Sequence, residues 1–291
     1  MLYSEKLTLG SAQFGSNYGI ANSSGKVKSS EVNKILAYAY GKGISCIDTA
    51  SGYGISEKVI GDYFNENLNQ KWTIITKLSG PPNLFMEQLE TSIRKLGRKP
   101  DVVLAHTISD LFIPSFSDMI SWLKNEMGIS KIGVSIYRKN EIEKIFNFKY
   151  KIDVIQCPLN ILDTRLYRTG LIDRIKENDI ELHIRSVFLQ GLFFLSEKQL
   201  NNNFIEVLPY IKKLKKISRD FGLSLSELSL LWVCSLNQVD KVIIGVDNID
   251  QLKTHCKTIN KEIDFEITEK ITSIKYNNEK ILNPSLWGER V

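Results

Sequence analysis

The sequence predicts an α/β fold, namely a closed (β/α)8 TIM barrel. Eight short apolar segments alternate with longer amphipathic segments along the whole chain. This alternation is typical of parallel strands joined by right-handed helical crossovers. Eight such units in 291 residues fit a closed barrel better than an open sheet. Because no linker or low-complexity segment interrupts the pattern, we expect a single domain over residues 1–291.

The strands are the shorter elements, and some of them are apolar throughout, as strands buried on both faces are. Residues 102–104 and 242–244 have this character. The predicted strands cover residues 6–10, 44–48, 72–77, 102–106, 131–135, 152–156, 181–186 and 241–245.

The helices are the amphipathic segments between the strands, and some begin with a capping signal. Ser224 precedes Glu227 by three residues, and Asn248 precedes Gln251 by the same spacing. The asparagine run 201–203 is instead predicted to be a surface loop. The predicted helices cover residues 29–42, 56–66, 84–97, 116–126, 139–147, 163–178, 205–221, 224–236, 249–258 and 266–277.

Composition argues against several classes of partner. The net charge of +5 is mild, and the one lysine cluster, residues 212–216, fits a solvated helix face better than a nucleic-acid site. No apolar stretch approaches the ~20 residues that span a bilayer, and the first residues carry no signal-peptide pattern. The four cysteines lie far apart, which indicates reduced thiols and no metal site. We expect a cytoplasmic protein that is a monomer or a weak homo-oligomer.

Four polar residues follow three successive predicted strands. Asp48 and Tyr53 come after the second strand, Lys77 ends the third, and His106 ends the fourth. If these strands are parallel neighbours, the four side chains meet at one end of the sheet. The sequence therefore predicts a shared site there.

These residue types together suit a general acid. A free tyrosine has a pKa near ~10, and a nearby ammonium group such as Lys77 is expected to lower it. Asp48 would keep Lys77 charged and in place, while a neutral His106 would orient a carbonyl oxygen. None of the four can supply a hydride, so carbonyl reduction here requires a redox cofactor.

In type, order and position these four residues resemble the catalytic tetrad of the aldo-keto reductases, and the similarity runs along most of the chain. The resemblance implies NAD(P)H-dependent reduction of an aldehyde or ketone, with sugar-derived carbonyls among the candidates. Tyr53 would be the general acid, with Asp48 and Lys77 tuning it and His106 orienting the small-molecule substrate.

Further motifs of that family imply contacts with the cofactor. Ser135 and Gln156 resemble the residues that hold the nicotinamide carboxamide, and the loop after strand seven resembles the one that crosses the pyrophosphate. The segment after strand eight resembles the loop and helix start that clasp the adenosine. The implied cofactor residues are Gly15, Ser135, Gln156, Arg185, Ser186, Leu189, Gly191, Gly245, Asp247, Asn248 and Gln251.

Three positions depart from the common family pattern. Ile136 stands where asparagine is frequent, and Arg185 stands where many members stack a tyrosine on the nicotinamide ring. Asp247 lies in a loop where members that prefer a phosphorylated cofactor commonly carry basic residues. NADPH is the family default, whereas Asp247 leaves NADH open.

Two other functions remain alternatives at this stage. One is a cofactor-binding regulatory subunit of the same fold with little turnover. The other is an unrelated barrel lyase or isomerase that uses Lys77 as a Schiff-base nucleophile, which is disfavoured because such a lysine is usually desolvated and lacks a carboxylate partner. Substrate choice is expected to depend on loops 107–118 and 190–204 and on the tail 278–291. An apolar wall there is predicted from Phe112, Phe116, Phe193, Phe194 and Trp287.

Overall fold

The predicted barrel is confirmed by a computed structural model that describes residues 3–113 and 116–288. Eight parallel strands close into a barrel in sequence order, with the last strand paired to the first. The strands are β1 Leu7–Gly10, β2 Cys46–Asp48, β3 Thr73–Leu78, β4 Val102–Ala105, β5 Lys131–Ser135, β6 Val154–Pro158, β7 Glu181–Arg185 and β8 Lys241–Gly245.

Register brings the ends of these strands to one rim. Gly10 pairs with both Asp48 and Gly245, and Ser135 pairs with Gln156. Because the strands are parallel, residues that end neighbouring strands lie side by side, and in barrels of this type the functional loops leave from this rim. The side chains that were predicted to share a site therefore lie at this rim.

Helices surround the barrel and carry the chain back to its other end. In chain order the α-helices are α1 Tyr3–Lys6, α2 Ala12–Gly15, α3 Ser29–Gly41, α4 Ser56–Glu66, α5 Pro82–Leu96, α6 Ile108–Leu111, α7 Phe116–Ser121, α8 Lys139–Phe146, α9 Arg165–Arg168, α10 Leu171–Glu177, α11 Glu197–Asn203, α12 Leu208–Asp220, α13 Leu225–Ser235, α14 Ile249–Thr258, α15 Phe265–Ser273 and α16 Glu279–Leu282. A π-helical turn, Trp122–Glu126, continues α7, and short 3-10 turns cover Leu189–Phe194, Ile205–Val207 and Pro284–Leu286.

Some element predictions were wrong in detail. The predicted helix 163–178 is two helices, because Gly170 adopts a left-handed φ of 68° between α9 and α10. The asparagine run predicted as a loop instead ends α11, which Ser196 caps. Lys6, assigned to the first strand, belongs to α1, and its ammonium donates to the carbonyls of Cys234 and Leu236.

The core lies mainly between the barrel and its helices, with a smaller cluster of Cys46, Ile75, Val102, Leu104 and Val154. All four cysteines are buried free thiols. Within residues 3–113 and 116–288, every helix is too short or too polar to cross a membrane.

Candidate active site

A buried ion pair forms the base of the site. The Lys77 ammonium donates to Asp48 Oδ1 at 2.5 Å and to the Thr49 carbonyl at 2.9 Å. The other carboxylate oxygen of Asp48 accepts from the Gln156 amide at 2.7 Å. Burial lowers the pKa of Lys77, and Asp48 opposes that effect. Because its ammonium is paired with Asp48 and also donates to the Thr49 carbonyl, Lys77 is poorly placed to attack a carbonyl as a free amine.

Tyr53 and His106 lie above this pair, so the structure brings together all four residues that were predicted to share a site. The Lys77 Nζ atom is 5.1 Å from the centroid of the Tyr53 ring. The rings of Tyr53 and His106 meet edge to face, with centroids 6.2 Å apart.

The protonation states differ from the expectation in one respect. Burial, followed by the charge of Asp48, raises the pKa of Tyr53, while Arg185 acts in the opposite direction. The pKa of Tyr53 is therefore not lowered as expected, because burial outweighs the nearby positive charge. Burial lowers the pKa of His106 to about 4, and Lys77 contributes to that shift. At neutral pH the phenol of Tyr53 keeps its proton and the His106 imidazole is uncharged.

Two glycines fix the loop that carries Tyr53. A Cβ atom on Gly15 would lie 1.7 Å from the Tyr53 carbonyl oxygen, so only glycine allows this approach of α2 to the loop. Gly54, at a φ of 56°, would bring a Cβ within 2.4 Å of the Gly15 carbonyl oxygen. Gly15 was predicted to contact a cofactor, whereas the structure places it against the backbone of Tyr53.

A cavity of about 590 Å³ opens at the rim, and we call it the rim cavity. Asp48 and Tyr53 line its tyrosine end, and its helix end, at the start of α14, is lined by Asp247, Asn248, Asp250, Gln251, Thr254 and His255. Seven of the eleven residues implied as cofactor contacts line it, namely Arg185, Ser186, Gly191, Gly245, Asp247, Asn248 and Gln251. The other four, Gly15, Ser135, Gln156 and Leu189, do not line it, and neither do Lys77 and His106.

Ser135 and Gln156 are buried just behind the rim cavity. Gln156 is fully buried, and while its Nε2 donates to Asp48, its Oε1 has no hydrogen-bond partner in the described structure. Buried polar atoms are almost always paired, so this amide oxygen is available for a donor from a ligand. The Ser135 hydroxyl accepts a long hydrogen bond from Arg185 Nε, at 3.4 Å.

The loop after β7 forms one wall of the rim cavity in an unusual backbone conformation. Ser186, Leu189 and Gln190 have φ values of 60°, 47° and 52°, which non-glycine residues rarely adopt. The Gln190 carbonyl accepts from the backbone N–H of Ile20, which joins this loop to the loop after α2. Leu189 is fully buried in the core, so its contribution is to anchor the loop.

The helix end of the rim cavity is rich in carboxylates. Asn248 caps α14 by accepting from the Gln251 N–H, and Glu31 of α3 accepts from the Ile249 N–H at 2.9 Å. These two N–H groups of the helix start are thus already satisfied and are not available to a ligand. Asp247 accepts weakly from the Gln251 amide at 3.3 Å, and its Oδ1 has no partner in the described structure.

Sequence reasoning missed three aromatic residues of the rim cavity, Tyr18, Phe188 and His255. The His255 ring stacks on Phe188, with centroids 5.1 Å apart and an angle of 18°. Burial lowers the pKa of His255 to about 4. The spacing of four residues from Gln251 places His255 on the same face of α14, and this signal was present in the sequence.

The predicted apolar wall forms only in part. Phe194 lines the rim cavity, whereas Phe193 and Trp287 are buried in the core. Phe112 is exposed and packs edge to face on Phe148. The side chain of Phe116 lies outside the described residues. Across the described part of the chain, no group of three His, Cys, Asp or Glu side chains is arranged to hold a metal.

Comparison with known proteins confirms the resemblance. Residues 6–275 match the model of the aldo/keto reductase family. L-glyceraldehyde 3-phosphate reductase of Escherichia coli K12 is 21% identical, and the alignment covers 83% of each protein.

Solved structures support the same fold. An aldo-keto reductase from Bacillus halodurans in its holo form superimposes with a TM-score of 0.76 and 20% identity, over 94% of this chain and 95% of the other. Glycerol dehydrogenase of Gluconobacter oxydans gives 0.72 and 18%, over 92% and 90%. An aldo/keto reductase of Klebsiella pneumoniae in complex with NADP and acetate gives 0.69 and 15%, over 92% and 90%. At these identities the likeness concerns the fold alone.

Proposed function

The chain belongs to the aldo/keto reductase family, and from this premise we propose that it reduces an aldehyde or ketone to an alcohol with Tyr53 as the proton donor. Members of the family are nicotinamide-dependent oxidoreductases, and the chain is an enzyme of this kind. The observation that carries the proposal is the convergence of Asp48, Tyr53, Lys77 and His106 at one end of a cavity large enough for a cofactor.

Each of the four residues has a defined task in this proposal. Tyr53, protonated at neutral pH, donates its proton to the carbonyl oxygen. His106 is uncharged and orients that oxygen beside the tyrosine. Asp48, which Gln156 holds in place, keeps Lys77 beside the Tyr53 ring, where the ammonium stabilises negative charge that develops on the phenolic oxygen.

The residues present fit a nicotinamide cofactor. When bound, this cofactor supplies the hydride that reaches the carbonyl carbon. The unpaired Oε1 of Gln156 suits the N–H donors of a carboxamide, and Ser135 lies beside it in the paired strand. At the other end, the unpaired Oδ1 of Asp247 suits a ribose hydroxyl.

We further propose that NADH is accepted at least as well as NADPH. Asp247 and Asp250 line the helix end, and Glu31 occupies an N–H of α14 where a phosphate would otherwise bind. No lysine or arginine is among the described residues that line this end. Asp250 pairs with Lys253 and Glu31 pairs with Lys34. Among the described residues Asp247 has no such partner, so a 2′-phosphate beside Asp247 would meet uncompensated negative charge. The Klebsiella pneumoniae relative, in contrast, was solved with NADP.

A direct test is to titrate the purified protein with NADH and NADPH by fluorescence quenching and then to assay a panel of carbonyls. The panel includes glyceraldehyde, its 3-phosphate, open-chain sugars and simple ketones. We expect micromolar binding of a reduced cofactor and carbonyl-dependent loss of its absorbance. Cofactor binding without turnover on any carbonyl would favour the regulatory subunit, and the absence of binding would refute the proposal.

A further inference from the structure

Arg185 is a rigidly held cation in the wall of the rim cavity. Its Nη2 donates to the Ile136 carbonyl at 2.9 Å, and its Nη1 and Nε make longer contacts with the hydroxyls of Ser186 and Ser135. One face of the guanidinium lies 4.0 Å from the centroid of the Tyr137 ring. These contacts fix the position of the charge from several sides.

The charge of Arg185 is not neutralised by the protein. Among the described residues, no carboxylate lies within 4.0 Å of the guanidinium. Asp48 is paired with Lys77, and Asp110 is engaged by backbone N–H groups. His106 adds no negative charge. The tyrosine end of the rim cavity therefore contains a half-buried cation that solvent and salt screen only in part.

This cation acts differently on the two redox states of a nicotinamide. The reduced dihydropyridine ring is neutral, and the oxidised pyridinium ring carries one positive charge. Hydride transfer to a carbonyl held by Tyr53 requires the ring to lie in the same part of the rim cavity as Arg185. The repulsion from the guanidinium therefore exists only in the oxidised state.

We propose that Arg185 makes the site bind the reduced cofactor in preference to the oxidised cofactor, and so biases this enzyme toward reduction. The inference depends on the proposed function, because it requires a nicotinamide in the rim cavity. Overall reaction equilibrium is unchanged. The oxidised cofactor is released more readily after turnover and therefore inhibits the enzyme only weakly as a product.

The effect is large enough to measure. Two unit charges separated by several ångströms at a partly exposed site interact strongly enough to change a binding constant by on the order of tenfold. The quantity to compare is the ratio of dissociation constants, oxidised over reduced, for the same cofactor. This ratio cancels contributions that both redox states share.

The test compares four proteins by fluorescence titration with NADH, NAD⁺, NADPH and NADP⁺. They are the wild type, Arg185→Met, Arg185→Lys and Arg138→Gln. Arg138 is exposed and does not line the rim cavity, so its variant removes one positive charge nearby as a matched control. We expect Arg185→Met to lower the ratio about tenfold, and Arg185→Lys and Arg138→Gln to stay near the wild type. Arg185→Gln replaces Arg185→Met if the latter does not fold.

The outcomes separate this inference from the proposed function. If neither redox state binds the wild type, the proposed function fails and this inference fails with it. If both bind but the ratio is the same in wild type and Arg185→Met, the inference alone is wrong. An unchanged ratio together with a selective loss of glyceraldehyde 3-phosphate reduction would instead identify Arg185 as a substrate-binding residue, which also overturns it.

Discussion

The two ends of the rim cavity differ in how their polar groups are satisfied. At the tyrosine end, both oxygens of Asp48 are occupied and Lys77 has two partners. At the helix end, the Oδ1 atom of Asp247 has no partner, and its Oδ2 atom accepts only a long hydrogen bond from the Gln251 amide. The Asp48–Lys77 pair is thus held in a fixed position, whereas Asp247, like the Oε1 atom of Gln156 behind that pair, keeps an oxygen for a ligand. The fixed groups at the tyrosine end suit proton transfer, and the unpaired oxygen at the helix end suits recognition of the cofactor.

The sharpest test of the tyrosine end is removal of its proton donor. Tyr53→Phe keeps the ring against Lys77 and His106 but deletes the hydroxyl. We expect carbonyl reduction to fall by roughly 10²–10⁴-fold, the usual effect of losing a general acid. Cofactor affinity should remain close to that of the wild type, as measured by fluorescence titration. Near-normal turnover in Tyr53→Phe would remove this residue from the proposed role.

The buried ion pair gives the next largest effect. Lys77→Met leaves the Asp48 carboxylate without its cation at a position that is 3% exposed. We expect a loss of roughly 3–5 kcal/mol in the free energy of unfolding, together with loss of activity. The double variant Asp48→Asn and Lys77→Met should regain much of the stability and none of the activity.

Denaturant titration and the carbonyl assay check both parts of this prediction. If the double variant is as unstable as Lys77→Met alone, the destabilisation does not come from an uncompensated charge.

The difference between the two ends of the rim cavity also explains which site residues could be predicted from the sequence. Asp48, Lys77 and His106 were found because each ends or directly follows an apolar strand, and parallel strands bring their ends together whatever the loops do. Tyr53 depended on a short loop that Gly15 and Gly54 hold by close backbone contact. That contact between distant segments could not be derived from local pattern.

Residues of the helix end were harder to place, because their positions depend on long-range partners. Glu31 reaches the start of α14 from a helix 218 residues earlier in the chain. The break at Gly170 was missed because a glycine inside an apolar pattern does not reveal whether it adopts a left-handed φ. The raised pKa of Tyr53 was missed because burial, which outweighs nearby charge here, is a property of the folded chain.

A smaller effect is expected at the helix end. Asp247→Ser should lower the dissociation constant of NADPH relative to that of NADH by about tenfold, because it removes a charge that opposes a 2′-phosphate. Asp220→Ser, at the exposed end of α12, is the matched control and should leave the ratio unchanged. If Asp247→Ser keeps the wild-type ratio, the Asp247 carboxylate does not face the ribose and does not set the cofactor preference.

The last prediction concerns His255 and the stability of the helix end. Its folded pKa of about 4 lies below the ~6.5 of an unfolded histidine, so the unfolded state binds more protons between these values. Stability from this group is complete above the unfolded pKa and is lost as the pH falls toward the folded pKa. Between pH 7 and 5 the loss from one such histidine is at most roughly 2 kcal/mol.

His255→Gln removes this titration and should reduce the fall in the free energy of unfolding over that pH range. His106 has the same shift and remains in the variant, so part of the fall should persist. Lys257→Gln, on the exposed face of α14, is the control and should show the full wild-type fall. Urea unfolding at pH 7 and at pH 5 measures all three proteins. Equal pH dependence in wild type and His255→Gln would mean that the histidine is protonated in the folded state, with the stack on Phe188 open to water.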